Sequence, residues 1–327
     1  LTALLAASII AALGLPHSLD QTRLSPGAGV VLWAGVLALR AALAAGAVAI
    51  VVLLVPATEL FQLLTHWCVH AVVPFLATHL GFDGHRLGDA AVLVPALVIA
   101  ISVVSSGFAA WRGARMVRAW LRSNSLGAGP RASLIVCDRE IVLAAAGLRA
   151  PKVVVSAGAL LSLDDDELAA GLEHEWGHIA HRHRFVALAG QLLRAISRFL
   201  PGSTRALELL RFHLERDADE FAVGRTGNPK ALASAICKTA GAPATANAAF
   251  AGLGGSGTPD RVRILLAPLM VPSRVGNAIA RLLASGTAVL VLVLILAAPT
   301  LARAGLAPEP APAAPTTQAP ASSCVSS

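Results

Sequence analysis

Charge is scarce in this sequence. Charged residues make up 14% of its 327 residues, where soluble domains carry roughly a quarter. Tyrosine is absent and aromatic residues total 4%. The four cysteines, Cys68, Cys137, Cys237 and Cys324, form no CxxC pair. That excludes a disulfide framework and a cysteine zinc cage. What is abundant is apolar: 56% of the residues are hydrophobic, and the mean hydropathy of +0.70 points to a bilayer as partner. The net charge of +7 could suggest nucleic acid, but its placement argues against direct nucleic-acid binding. Of 26 Lys and Arg, 22 lie between Arg112 and Arg281, mixed with 14 acidic residues; Arg23, Arg40, Arg86 and Arg303 are the rest. Such clustering describes membrane topology.

Residues 90–111 carry no charge for 22 positions, residues 282–302 for 21 and residues 41–58 for 18, the last preceded by an apolar stretch at 30–39. A span needs about 20 apolar residues. Spans are expected at about 1–15, 36–58, 90–111 and 282–302. Residues 1–15 are short and begin at Leu1 without Met; they read as a first span rather than a signal peptide, because no basic n-region precedes them. WRGARMVRAWLR (111–122) puts four arginines after the 90–111 run, so that end should be cytoplasmic. Residues 112–281 then form a cytoplasmic domain in a multi-pass protein of the cell membrane, with Arg40 snorkelling at an inner interface. Residues 60–80 read as an outer amphipathic helix, with a fifth span as the alternative. His66 and His70 have helical spacing, and an outer sensory metal site there is a minor expectation. The Ala/Pro-rich tail, 303–327, is expected to be disordered.

Between the spans, SLIVC (133–137), IVLAA (141–145) and KVVVS (152–156) are strand-like runs. Ser162 opens SLDD, a capping-box pattern, ahead of a helix over 166–183. An amphipathic stretch (185–200) ends at Pro201 and Gly202. Ser203 or Thr204 then caps a helix over 205–223, and a shorter one covers about 229–239. Residues 241–257 read as low-complexity loop, and Thr258 and Pro259 start a last helix before the final span.

The stretch GLEHEWGHIAHRH holds four histidines: His174, His178, His181 and His183. His174-Glu175-Trp176-Gly177-His178 is an HExxH motif. On a helix, positions i and i+4 share a face, so two imidazoles can meet one Zn²⁺ with Glu175 on its open side as general base. His181 lies seven residues after His174 on nearly the same face, but about 10 Å further along a straight helix at ~1.5 Å per residue. His183 is rotated off that face. Both are expected to be exposed or to lie behind the ligands, as bystanders to the metal rather than ligands. The third ligand is expected to be Glu215, in ERDADEFA (215–222) on a second helix, with Asp219 one turn later to accept the other ring N–H of a ligating histidine. His174, His178, Glu215 and a water make a two-His-one-Glu open site for one Zn²⁺ per chain. Arg182, His213 and Arg216 are unranked candidates for stabilising an oxyanion.

HEWGH together with ERDAD resembles the gluzincin membrane zinc metallopeptidases. Two types compete: the beta-lactam sensor-transducer (BlaR/MecR-like) peptidases, and the HtpX and CAAX-prenyl-protease type. The span arrangement, the amphipathic interval with Arg194 and Arg198, and DRVRILLAP before the last span resemble the first. Residues 304–327 are too few for the penicillin-binding domain that follows the last span in antibiotic sensors. The resemblance implies a mostly α membrane protein of about four transmembrane helices, with an inserted α+β zincin-like metalloprotease domain of small sheet, HExxH helix and Glu-ligand helix. It implies a metalloendopeptidase acting on a protein or peptide, a cytoplasmic transcriptional repressor among them. HtpX-like quality control of membrane proteins, or a non-catalytic zinc-containing receptor or scaffold, are the alternatives. For zincins generally it also implies a strand edge that holds the substrate backbone, here expected to be KVVVS (152–156).

Overall fold

Proline marks the start of two of the long helices. In the computed structural model, which describes residues 2–67, 92–147, 150–240, 257–267 and 273–305, α1 (Thr2–Gly14) is followed by α2 (Pro26–Leu54). Pro26 opens α2 where its missing N–H leaves no bond unmade. A short amphipathic helix, α3 (Glu59–Trp67), comes next. Then α4 (Val94–Asn124) has Pro95 in its first turn and carries the four arginines of 112–122, good helix formers, on its continuation. Among the described residues three helices are long and apolar enough to cross a membrane: Pro26–Leu53, Val94–Asn124 and Arg274–Leu296, the last within α11 (Arg274–Gly305). At 13 residues, α1 is shorter than the roughly 20 a span requires. Each long helix overruns the uncharged run expected to span: α2 starts at Pro26 rather than near 36, and α4 ends at Asn124 rather than 111. The residues expected to form the 241–257 loop, the end of the 60–80 helix and most of the tail lie outside the described residues.

After α4 the chain forms a small mixed sheet: β1 (Ser125–Ala128), β2 (Leu134–Val136), β3 (Leu143–Ala146) and β4 (Lys152–Ser156). The order is β1-β2-β4-β3, antiparallel except for the parallel β2/β4 pair. β4 is therefore interior and cannot offer an edge to a substrate. The edge strands are β1 and β3, a correction to the expectation placed on KVVVS. Val153, Val154 and Val155 are all fully buried, as befits a strand covered on both faces. Val154 faces Val117, Trp120 and Leu121 at the end of α4. Val153 and Val155 face the core made with α5 (Ala157–Ser162), α6 (Asp165–Ala180), α8 (Ser203–Thr226) and α9 (Pro229–Ala240).

Ser162 ends α5 instead of capping α6. The capping box is Asp164 with Glu167, whose backbone N–H donates to Asp164 Oδ1 at 2.8 Å while the Asp164 N–H donates to Glu167 Oε2 at 2.9 Å. Glu167 also accepts from Lys238 Nζ and Ser234 Oγ at 2.6 Å each, tying the start of α6 to α9. The helix expected over 166–183 is broken. Arg182 adopts a left-handed backbone (φ 56), costing about 1 kcal/mol for a residue with a Cβ, and α7 (His183–Ile196) leaves in a new direction. Neither Ser203 nor Thr204 caps α8: its N-cap is Gly202, at φ 85. α10 (Thr258–Leu266) packs on α9.

The two halves of α2 differ. Leu32, Trp33, Val36 and Leu37 are fully buried against Ala206, Leu207, Leu210 and Leu214 of α8 and Ala280 of α11, whereas Ile50 and Leu53 are exposed. α2 and α11 start side by side: the Ser25 N–H donates to Asn277 Oδ1 at 2.8 Å and the Ser273 N–H to Arg23 O at 2.9 Å. They run parallel, Gly35 lying against Thr287 as Leu24 lies against Gly276. The starts of α2 and α11 and the end of α4 thus all lie towards the sheet and α6.

Candidate metal centre

Gly177 explains how α6 and α8 approach. A Cβ at 177 would stand 3.2 Å from both Ala218 Cα and Phe221 Cβ. With only hydrogen there, the helices cross closely and the histidines of one meet the carboxylates of the other. His174 is fully buried, and its Nε2 lies 3.2 Å from His178 Nε2 and 3.6 Å from Glu215 Oε2. His178 Nε2 lies 3.6 Å from Glu215 Oε1. A tetrahedral ion with bonds of about 2.0–2.1 Å separates its donor atoms by about 3.4 Å. Two imidazole nitrogens and a carboxylate at these separations fit such an ion.

Around this trio the structure is densely charged. Asp219 Oδ1 lies 2.9 Å from His174 Nδ1, the ring nitrogen turned away from Glu215. Arg261 of α10, wholly buried, grips both carboxylates. It donates Nε–H and Nη2–H to Asp219 at 2.8 and 2.7 Å, and Nη1–H to Glu215 Oε2 at 2.8 Å. Burial opposes a charge on Asp219, but the Arg261 guanidinium outweighs it and holds the carboxyl far below the usual range. Burial also works against a protonated His174; Asp219 and Glu215 override it and lift His174 to about 9 in the metal-free protein. His178 is pushed down to about 3, chiefly by burial, and is neutral.

Glu175 is fully buried beside His174, and burial raises its carboxyl to about 7. Its Oε2 accepts the backbone N–H of Ala145 on β3 at 2.6 Å. Its Oε1 has no partner among the described residues. Glu175 and an edge of the sheet are therefore in direct contact.

Residues 115–213 match the family model of peptidase family M48. The match runs from the end of α4 through the sheet and HEWGH into α8, and it supports a metallopeptidase of a family that uses zinc. It stops just short of Glu215, so Glu215, Asp219 and Arg261 stand on geometry alone. No curated protein and no solved structure matched the chain.

Two of the three oxyanion candidates are engaged elsewhere. His213 Nε2 lies 3.1 Å from Gln21 Oε1, and Arg216 Nη1 donates to the carbonyls of Gln21 and Leu24 at 2.9 Å each. Both serve the loop between α1 and α2. Arg182 occupies the left-handed turn after α6. Three residues went unremarked as site residues or were set aside in the sequence: Arg261, Asp217 and His183. DRVR was visible only as part of a capped helix, and ERDAD drew attention to its first and last members. Of the two places expected for His183, exposed or behind the ligands, it takes the second: it is buried and touches His178.

Proposed function

We propose that this chain is a membrane-bound zinc metalloendopeptidase with His174, His178 and Glu215 as metal ligands and Glu175 as general base. The observation that carries the reading is the convergence of those three donors beside a buried glutamate that touches the edge strand β3. Zinc, when bound, supplies a Lewis acid that activates water at neutral pH. Glu175 would take a proton from water on Oε1, which has no partner among the described residues, and return it to the departing amine. β3 offers its free edge to an extended substrate backbone by strand addition. Asp219 orients His174, and Arg261 keeps Asp219 and Glu215 anionic in a buried setting.

The span directions and the arginines at the end of α4 support a multi-pass protein with its catalytic part in the cytoplasm. On the sensor-transducer resemblance the substrate is a cytoplasmic regulatory protein such as a transcriptional repressor. A second reading, quality control of membrane proteins, draws on the α7–α8 hairpin, which packs alongside α2 and α4. There Arg40 donates to Pro201 O, and Arg198 to Ser102 Oγ. Quantitative proteomics of cells carrying wild-type chain or Glu175→Gln tests both readings. A soluble regulator that persists only in the variant supports the first, and accumulating membrane proteins the second. Cleavage that continues in Glu175→Gln would refute the peptidase.

A further inference from the structure

The ring nitrogen of His178 that faces away from Glu215 does not meet solvent. His178 Nδ1 lies 2.9 Å from Nδ1 of His183, a residue only 5% exposed. On its other side, His183 Nε2 lies 2.9 Å from Asp217 Oδ2. His181 Nδ1 contacts the same oxygen from a more open position, with 46% of its side chain exposed. We propose that His183 and Asp217 form a positioning relay that fixes the tautomer and ring orientation of His178, the counterpart of what Asp219 does for His174.

The proposal rests on the reading of His178 as a metal ligand through Nε2. An imidazole that binds a metal through Nε2 in its neutral form carries its proton on Nδ1. That proton needs an acceptor, and the atom facing it is His183 Nδ1. His183 accepts there only if its own proton sits on Nε2, and that nitrogen faces the Asp217 carboxylate. One arrangement of protons satisfies the series: His178 Nδ1–H to His183 Nδ1, then His183 Nε2–H to Asp217 Oδ2. The local fold makes this possible. The left-handed turn at Arg182 starts α7 at His183 and swings that ring back against His178; on an unbroken helix it would have pointed elsewhere.

His181, His183 and Asp217 also lie close enough to suggest a second metal cluster, with donor atoms within 4.8 Å of one another. The same proton arrangement argues against it. A metal on His183 Nε2 would force the His183 proton onto Nδ1, opposite the Nδ1–H of His178, and two donors would face each other at 2.9 Å. Both histidines meeting one carboxylate oxygen is also a hydrogen-bonding pattern.

The test uses the full chain in detergent, loaded with zinc and separately with cobalt. Zinc affinity is measured by chelator competition, and coordination by the cobalt visible spectrum. His183→Ala and Asp217→Asn should weaken zinc binding by about 10–100-fold and alter the cobalt spectrum; Asp217→Glu should recover part of the loss, and His181→Ala should leave affinity unchanged. Circular dichroism of the metal-free variants separates lost positioning from lost fold, and near-isosteric Asp217→Asn, on a side chain 22% exposed, guards against a collapse in His183→Ala. Wild-type affinity and spectrum in both His183→Ala and Asp217→Asn would overturn the relay while leaving the peptidase reading intact. Two zinc ions per wild-type chain, one lost in His181→Ala, would overturn it in favour of a second metal. A wild-type chain that binds no zinc would overturn the ligand assignment, and the relay with it.

Discussion

Glu175 has one carboxylate oxygen held by the Ala145 N–H and the other unpartnered, in a fully buried position. Glu175→Gln keeps the shape and the oxygen acceptor for Ala145 while removing the base. Proteolysis should fall below detection, with zinc still bound at one per chain by elemental analysis. His174 leads to a pH prediction. In the metal-free protein its pKa is raised to about 9, so at neutral pH it carries a proton that an incoming metal must displace. Zinc affinity should therefore rise by about tenfold per pH unit between roughly 7 and 9 and then level off, with one proton released per ion. Competition titrations flat across that range would contradict the Asp219–His174 coupling. Arg261→Met would leave Glu215 and Asp219 buried without their cation, a change that typically costs about 3–5 kcal/mol. Thermal denaturation should show a large loss of stability in the metal-free variant.

At the level of elements, two glycines set the crossings that build the site. Gly177 lets α6 meet α8, and Gly29 lets α2 meet α8, where an added Cβ would stand 2.3 Å from the His213 ring. Gly177→Val should wedge α6 from α8, at about 1–3 kcal/mol for overpacking, and weaken zinc binding more than Gly177→Ala does; equal zinc affinities in the two would show that the crossing tolerates the wedge. The clustering of His174, His178 and Glu215 was legible because i,i+4 spacing and a helical hairpin are local patterns. Strand order is not local. KVVVS has the strongest β pattern and for that reason became the central strand, leaving the blander LAAA of β3 at the edge. The break after α6 was equally hidden, since HIAHRH carries no glycine or proline to announce it. Without that break His183 and Asp217 could not be connected to His178. Arg261 was illegible for a different reason: an arginine in an amphipathic helix reads as a solvated charge until its carboxylate partners are in view.

For the whole molecule, the parallel start of α2 and α11 and the arrival of α4 put the catalytic part on one side of the three candidate spans. Applied to the arginines at the end of α4, the positive-inside rule leads to the expectation that this side is cytoplasmic. Cys137 is exposed just beyond β2, and in intact cells it should resist membrane-impermeant maleimide until the membrane is opened; labelling from outside would reverse the topology. The inner half of α2 has a further consequence. Leu207, Leu210 and Leu214 of the helix bearing Glu215 lie on α2, and His213 and Arg216 bond to the turn that leads into it. A fragment of residues 112–281 made alone would bare that apolar face beside a site whose ligand helix had lost its backing. It should aggregate rather than cut. Any event that cut residues 112–281 away from α2 should then undo the site rather than release it.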